Sequence, residues 1–255
     1  MKISWFVIWV GFAGLTSCKS SVKQQSDSIY SRHLQRHIDL TIINTPMPDN
    51  KSEMNLLLSI NSGFPESFRL KKIIDSLYRK KLIQPLTLVS FKGETTDYGI
   101  EESGGEKGNQ YRKFNEFVSG ELYPYCKKKS VIRKFKSVAV CGFSAGAYSA
   151  FDVAFNNDEK IQTVGMFHPV FGESNIDTAS AVLQTIESLR KRPQINILLY
   201  PSEKDSLALR FKNILDTKHK SLSSELIVLS KNNNNSTEEI PAESFVSFLL
   251  RAFGK

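Results

Sequence analysis

One short stretch constrains the fold of this chain more than any other: residues 137–148, with the sequence SVAVCGFSAGAY. Its apolar residues 138–141 predict a buried strand, and residues 147–155 predict a helix packed on a sheet. Between them lies Gly142-Phe-Ser144-Ala-Gly146, a G-x-S-x-G sequence. Strand, G-x-S-x-G and helix in this order predict a nucleophile elbow, a sharp and strained turn whose residues two before and two after the serine must be small.

Such a turn holds the serine hydroxyl clear of the backbone at the head of a helix. There the helix dipole and the free N–H of the next residue can stabilise a developing negative charge on oxygen. Ser144 is therefore the candidate nucleophile, and Ala145 is a candidate oxyanion-hole donor. A second interpretation stays open, in which the turn is an ordinary strand–helix corner and Ser144 only caps the helix.

The beginning of the chain predicts export. Residues 3–15 form an apolar run that is too short to cross a bilayer and has the length of a signal-peptide core. The run ends in Leu-Thr-Ser-Cys18, which resembles the lipobox of bacterial lipoproteins. We expect a signal peptide over residues 1–17 and lipidation of Cys18; an ordinary secretory leader with an incidental cysteine is the alternative.

The residues after Cys18 predict how the protein is held. No Asp or Glu follows Cys18 directly, so we expect a lipid-anchored protein of the cell envelope, at the outer membrane or its periplasmic face. Residues 18–30 are polar and predict a flexible tether. The remaining residues 31–255 are expected to form a single domain, since they number roughly 225 and fit one α/β core.

Composition and charge narrow the function classes. The net charge of +8 comes from scattered basic residues with one run, Lys127-Lys128-Lys129, which favours a solvated basic face over a nucleic-acid site. No metal-ligand cluster is visible and no cofactor is expected; His33 and His37 are interpreted as a surface pair. Cys126 and Cys141 are expected to be unpaired buried thiols.

The rest of the chain alternates between strand and helix patterns. Strands are predicted over residues 38–43, 55–60, 86–91, 138–141, 161–167, 195–200 and 225–229, and helices over residues 67–80, 111–126, 147–155, 179–190, 207–217 and 244–253. This alternation predicts a mostly parallel sheet covered by helices on both faces, with a site at the carboxyl ends of the strands. Ser144, His168 and Asp205 all follow predicted strand ends and are expected at that edge.

Two longer matches carry a family resemblance. Residues 111–124, YRKFNEFVSGELYP, and residues 140–154, VCGFSAGAYSAFDVA, are similar to the esterase family of α/β-hydrolases that contains enterochelin-esterase-like and esterase-D-like proteins. The similarity is close over residues 95–172 and architectural elsewhere. It implies the α/β-hydrolase fold and hydrolysis of a small-molecule carboxylic ester by a serine, an acid and a histidine, in that chain order.

The resemblance also implies roles for individual positions. Ser144 matches the nucleophile, and Ala145 supplies one oxyanion-hole amide. The second amide is expected from the loop after strand 55–60, at Gly63. Asp205 matches the acid, although an N-cap of the next helix is an alternative role for this residue.

The sequence departs from the family at the histidine. The family carries it in a glycine-rich loop between the last strand and the last helix, but this loop, residues 231–239, holds asparagines and no histidine. An asparagine amide cannot take the serine proton. The candidate substitute base is His168, expected beside the nucleophile strand; otherwise His168 is a hydrogen-bonded wall residue next to Pro169. Two functions therefore stay open: an active esterase, and a catalytically impaired pseudo-hydrolase that acts as a binding lipoprotein.

Overall fold

A computed structural model describes residues 22–47, 49, 54–61, 70–93, 107–157, 159–169, 195–201, 206–218, 223–226 and 242–255. Within these residues, eight strands form one sheet in the order β1-β2-β4-β3-β5-β6-β7-β8. The strands are β1 Lys23–Ser31, β2 Arg36–Asn44, β3 Asn55–Asn61, β4 Leu86–Lys92, β5 Val138–Phe143, β6 Thr163–Phe167, β7 Asn196–Tyr200 and β8 Ser223–Leu226.

The strand directions define the fold class. β2 runs antiparallel to both of its neighbours, β1 and β4. The other adjacent pairs, from β4 through to β8, are parallel. The parallel strands therefore begin at one edge of the sheet and end at the other, and the predicted mostly parallel sheet of an α/β-hydrolase fold is confirmed.

Helices cover both faces of this sheet. The described helices are α1 Leu70–Arg79, α2 Lys107–Glu116, α3 Tyr123–Ser130, α4 Ala145–Asn156, α5 Ser206–Lys218 and α6 Ala242–Phe253, with a π-helical turn Phe117–Leu122 joining α2 to α3. One apolar core packs α2 to α5 on the first face, and a second core packs α1 and α6 on the other. β3 contributes Leu56 and Leu58 to the first core and Leu57 to the second, as a strand buried on both faces must.

The first strand corrects one prediction. The expected flexible tether, residues 18–30, is wrong for residues 23–30, because they belong to β1, which pairs with β2 along its whole length. β1 is an edge strand whose side chains are mostly exposed, so its stability comes from ladder hydrogen bonds and from long-range contacts. Asp27 accepts a hydrogen bond from Tyr125 at 2.5 Å and lies 2.6 Å from the Lys129 ammonium, which fastens β1 to α3.

The remaining elements follow the predicted pattern with small shifts at their ends. The helix predicted over residues 111–126 is a single rod of α2, the π-helical turn and α3. The helix predicted over residues 179–190 lies outside the described residues. Cys126 and Cys141 are buried and unpaired, as predicted. Among the helices described, none combines the length and the apolar character needed to cross a membrane.

Candidate active site

The predicted elbow is a one-residue turn between a buried strand and a helix. All six residues of β5 are buried, and α4 begins at Ala145. Ser144 alone makes the turn, with φ 53° and ψ −121°. A positive φ is uncommon outside glycine and costs roughly 1–3 kcal/mol, a strain that clusters at functional sites. The order of strand, turn and helix is the one that G-x-S-x-G predicts.

The glycines on either side of Ser144 are required by close packing. A Cβ atom at Gly142 would lie 1.9 Å from the carbonyl oxygen of Gly146, and a Cβ at Gly146 would lie 2.7 Å from the carbonyl oxygen of Ile60. Neither contact is possible for a real side chain, so α4 can approach β5 and β3 only with glycine at both positions. The spacing of the motif is thus explained by the fold itself, independently of catalysis.

The Ser144 side chain is not used as a helix cap. Ser144 occupies the N-cap position of α4, yet its hydroxyl makes no capping hydrogen bond there. Its backbone is held firmly: the Ser144 N–H donates to the Phe167 carbonyl at 2.9 Å, and its own carbonyl accepts from the Ala147 N–H at 3.1 Å. The residue is partly exposed. The capping interpretation therefore has no support.

The head of α4 suits a negatively charged oxygen. The N–H groups of a helix's first turn have no partner within the helix, and together with the helix dipole they favour negative charge. Ala145 is the first residue of α4 and is partly exposed. Its N–H therefore has the position expected of an oxyanion-hole donor.

His168 lies beside the elbow. β5 and β6 are in register at Phe143 and Phe167, so Ser144 and His168 are the next residues of two neighbouring parallel strands. Such strands are roughly 5 Å apart. His168 is partly exposed and also has a positive φ, 42°, and its N–H donates to the Tyr200 carbonyl at 2.8 Å. The prediction that His168 borders the nucleophile strand is confirmed; its role as a base remains a prediction.

The other histidines have different settings. His33 lies in the β1–β2 turn, with its Nδ1 3.1 Å from a Glu116 carboxylate oxygen, and His37 lies in β2 with its ring edge-on to Tyr30. Both side chains are at least partly exposed, in agreement with the expected surface location, although one is in a turn and the other in a strand. β1 is four strand positions from β5, roughly 19 Å, so His33 is far from Ser144.

Several predicted site residues lie outside the described residues. These are Asp205, Gly63, Cys18 and the loop 231–239. α5 begins at Ser206, so the position of Asp205 in the sequence suits both an acid after β7 and a helix cap. In the described part of the chain, no three His, Cys, Asp or Glu side chains group to hold a metal ion.

A row of stacked aromatic side chains lies directly before the site residues in the chain, and the sequence analysis did not predict it. Phe143, Phe167 and Tyr200 end β5, β6 and β7, and their rings stack in series with centroids 4.7 Å apart at both steps. All three are nearly fully buried against α6, and burial raises the pKa of Tyr200 to about 12. The row fixes the backbone that carries Ser144 and His168. Its signal in the sequence is an aromatic residue at the last position of three consecutive strands.

A buried carboxyl in the elbow helix was also missed. Asp152 lies in α4 and accepts hydrogen bonds from the side-chain amides of Asn115, at 2.6 Å, and Asn156, at 3.2 Å. Burial raises the pKa of Asp152, and the two amide bonds offset part of that effect. Because it is seven residues beyond Ala145, about 10 Å along the helix, Asp152 joins α4 to α2 and does not reach Ser144.

The fold and the elbow together define an α/β-hydrolase. The family described as "Putative esterase" matches residues 31–239, most of the chain, and the chain therefore belongs to this family. Membership supports hydrolysis of ester bonds as the class of reaction. No curated protein sequence matches the chain.

Solved structures repeat the architecture at low identity. An IroE-like serine hydrolase from Shewanella oneidensis superposes with a TM-score of 0.70 at 13% identity, covering 91% of this chain and 80% of that one. A ferulic acid esterase from the anaerobic fungus Anaeromyces mucronatus, in complex with ferulic acid, superposes with a TM-score of 0.67 at 15% identity, with 91% of both chains covered. The enterobactin esterase of Shigella flexneri superposes with a TM-score of 0.59 at 15% identity, with 80% of this chain and 54% of that chain covered. At these identities the likeness shows the fold.

Proposed function

We propose that this protein is a serine carboxylic-ester hydrolase with Ser144 as its nucleophile. The observation that carries the proposal is the strained turn at Ser144, φ 53°, between a fully buried strand and the head of α4. The hydroxyl leaves the helix uncapped, so the strain serves no purpose in α4 itself. In a nucleophile elbow the strain has a function, because the strained turn presents the serine hydroxyl to the substrate while the start of the helix faces the reacting oxygen.

The proposed reaction has two halves. The Ser144 oxygen attacks the ester carbonyl carbon while a base takes the hydroxyl proton, and the carbonyl oxygen becomes an oxyanion held by the N–H groups of Ala145 and Gly63. The intermediate collapses to an acyl-enzyme, and the leaving alcohol takes the proton back from the base. Water then attacks the acyl carbon while the base takes a proton from it. The second tetrahedral intermediate collapses, the Ser144 oxygen leaves and takes that proton from the base, and the carboxylic acid is released.

His168 is the proposed base. Its support is the register of β5 and β6, which puts it next to Ser144 at the strand ends, and an imidazole titrates near neutral pH. Asp205 is the proposed acid that orients the base. The site is proposed to take a small-molecule ester; the solved neighbours include esterases of ferulic acid and enterobactin, so esters of hydroxylated aromatic acids are a suitable panel.

We also propose that the mature chain begins at Cys18 and is held in the cell envelope by a lipid on that residue. The lipobox-like residues before Cys18 support this assignment. The first described residue is Val22, which is buried. No more than four residue steps therefore separate a lipid on Cys18 from buried Val22.

A second function is favoured by one specific observation. The loop 231–239 contains no histidine, although the family carries its base there. If His168 is only a wall residue, the protein keeps the pocket and loses turnover, since removing the base of a triad costs on the order of a million-fold in rate. The protein would then be a lipid-anchored binding protein for an ester or a related ligand.

Hydrolysis of p-nitrophenyl acetate, with the ester in excess over a micromolar concentration of the enzyme, separates the two functions. An active hydrolase releases p-nitrophenol in a burst as the acyl-enzyme forms. The burst should vanish in Ser144→Ala and in His168→Gln. Ser149→Ala is the matched control, because Ser149 is a buried serine of the same helix, and it should keep the burst. A folded wild-type chain with no burst, on this ester and on aromatic-acid esters, would favour the binding protein.

A further inference from the structure

The edge of the sheet opposite Ser144 is strongly basic. We define the basal edge as the turns at the strand beginnings that lead into β4, β5 and β6, together with the C-terminal Lys255. These turns are residues 80–85, 127–137 and 159–162. Hydrogen bonds join these turns in a row: the Asn55 N–H donates to the Pro85 carbonyl, the Leu56 N–H to Ser137 and the Gln162 N–H to Val138, each at 3.0 Å. The basal edge is therefore one continuous surface.

Its charge is mostly positive. The basic residues of the basal edge are Lys80, Lys81, Lys127, Lys128, Lys129, Arg133, Lys134, Lys136, Lys160 and Lys255. All of them are exposed except Lys127, which is half-buried. The acidic residues described near these turns are Glu159 and Asp49, the latter in the segment between β2 and β3, and Lys129 is paired with Asp27. Charges from separate turns also converge, since the ammonium groups of Lys127 and Lys160 lie 5.9 and 5.6 Å from the ring centroid of Tyr123.

An apolar side chain projects from the middle of this basic surface. Val131 is 68% exposed, the most exposed of the large hydrophobic residues described. It ends α3 in a left-handed conformation, φ 52° and ψ 44°, where glycine or asparagine is usual and a β-branched residue is an outlier. Leu82, in the turn before β4, is 45% exposed on the same edge. Exposed aliphatic residues framed by lysine and arginine are typical of proteins that dock on lipid headgroups.

The chain enters the fold at this same edge. Val22 precedes β1, and its N–H donates to a carboxylate oxygen of Asp75, in the middle of α1. Lys23 pairs with Asn44, which pairs with Thr87 at the start of β4. Four residue steps separate Cys18 from Val22, so a lipid on Cys18 would hold Val22, at this end of the sheet, within about 14 Å of a bilayer.

We propose that the basal edge docks on the anionic headgroups of a membrane, with basic side chains on phosphates and Val131 at the headgroup boundary. The short segment after Cys18, part of the function proposed above, points the same edge to the bilayer. β5 has six residues, so Ser144 stands about 20 Å farther from the membrane, at the opposite edge. The site then opens to the aqueous phase and takes its ester from there.

Vesicle binding of the full chain tests this proposal. The chain carries Cys18→Ser, so that no lipid contributes, and is sedimented with phosphatidylcholine vesicles with and without phosphatidylglycerol. The edge variant is Lys128→Gln/Arg133→Gln/Lys134→Gln. The matched control removes the same charge elsewhere, at Lys71→Gln/Lys72→Gln/Lys92→Gln; these exposed residues lie at the start of α1 and the end of β4. The N-terminal segment is common to all samples.

Binding to phosphatidylglycerol vesicles should fall on the order of 100-fold in the edge variant, roughly fivefold for each basic residue. The control should stay near wild type, and salt should weaken all binding. Val131→Gly should bind several-fold more weakly while unfolding at a higher temperature, because glycine accepts the left-handed backbone. That pair of changes would not arise from a purely structural role.

Three results would overturn the proposal: equal losses in the edge and control variants, no preference of the wild type for phosphatidylglycerol, or unchanged binding by Val131→Gly. Tighter binding of a DNA duplex than of the vesicles would assign the basal edge to nucleic acid instead. Fluorophosphonate labelling of Ser144 in solution should be the same in the edge variant and the wild type. Failure of docking is thus distinguishable from failure of the proposed hydrolase.

Discussion

The strain at Ser144 can be measured with a pair of variants that lack the hydroxyl. The backbone angles of Ser144, 53° and −121°, mirror an extended conformation, so glycine adopts them freely whereas alanine does not. Ser144→Ala keeps the strain, worth roughly 1–3 kcal/mol, and Ser144→Gly relieves it. The Ser144→Gly variant also loses about 0.4–1 kcal/mol of unfolding free energy, because glycine gives the unfolded chain more conformational freedom. The Ser144→Gly variant should therefore be more stable than Ser144→Ala by about 1 kcal/mol.

Thermal unfolding gives the comparison directly. For a domain of this size, 1 kcal/mol corresponds to about 2–4 °C in Tm, so Ser144→Gly should unfold at the higher temperature by that margin. Ser76 provides a control with the opposite sign. It is exposed in α1, where alanine is favoured over glycine by about 1 kcal/mol. If Ser144→Ala proves as stable as Ser144→Gly while Ser76 behaves as expected, the turn is not strained and the elbow interpretation fails.

Three further predictions concern packing, charge and thiol reactivity. Gly142→Ala should lower Tm sharply, because its Cβ would lie 1.9 Å from a backbone oxygen, whereas Gly120→Ala, whose nearest contact is 3.8 Å, should be neutral or stabilising; equal effects would mean that the elbow is loosely packed. The Lys129 hydrogen bond is the main cause that lowers the pKa of Asp27 to about 2 from 3.8, so this carboxylate contributes stability above pH 4 that is lost as the pH falls through 2. The Tm of Asp27→Asn should therefore approach that of the wild type as the pH falls to 2. A Tm difference that stays constant from pH 2 to 6 would mean that the Asp27–Lys129 contact does not stabilise the fold. Burial raises the pKa of Cys141 to about 12, so the peptide that contains it should resist iodoacetamide at pH 8 until the protein is denatured; prompt modification in the native state would show that β5 is accessible.

The parallel sheet and the elbow could be predicted because local sequence determines them. Strands buried on both faces are continuous apolar runs, and the close approach of α4 to β5 permits glycine alone at Gly142 and Gly146. The place of His168 also followed from sequence, since it is one residue beyond a strand that pairs with the nucleophile strand. These inferences needed the order of elements and little else.

What could not be predicted depends on contacts between distant residues. β1 is polar and mostly exposed, so its composition resembles that of a tether; its pairing with β2 and the contacts of Asp27 with Tyr125 and Lys129 decide its structure. The stacking of the aromatic row also depends on contacts between distant residues. Phe143, Phe167 and Tyr200 are visible as strand ends, but their stacking depends on the register of three strands. The basic surface likewise joins turns that are far apart in the chain.

The π-helical turn shows another limit of sequence patterns. Phe117, Val118 and Leu122 are buried, and their spacing continues the apolar stripe of an ordinary α-helix. A single predicted helix over residues 111–126 is therefore correct in extent while the local winding differs. Turns of this kind change the hydrogen-bonding partner of each N–H by one residue, which side-chain periodicity does not reveal.

Reaction of the full chain with a fluorophosphonate probe tests the central claim most directly, because labelling needs an activated serine and no known substrate. The account predicts a phosphonate adduct on the peptide that contains Ser144, lost in Ser144→Ala, strongly reduced in His168→Gln and retained in Ser149→Ala. Labelling that persists in Ser144→Ala, or no labelling of a wild-type chain shown to be folded, would contradict Ser144 as the nucleophile. Labelling retained in His168→Gln would reject His168 as the base and leave Ser144 in place.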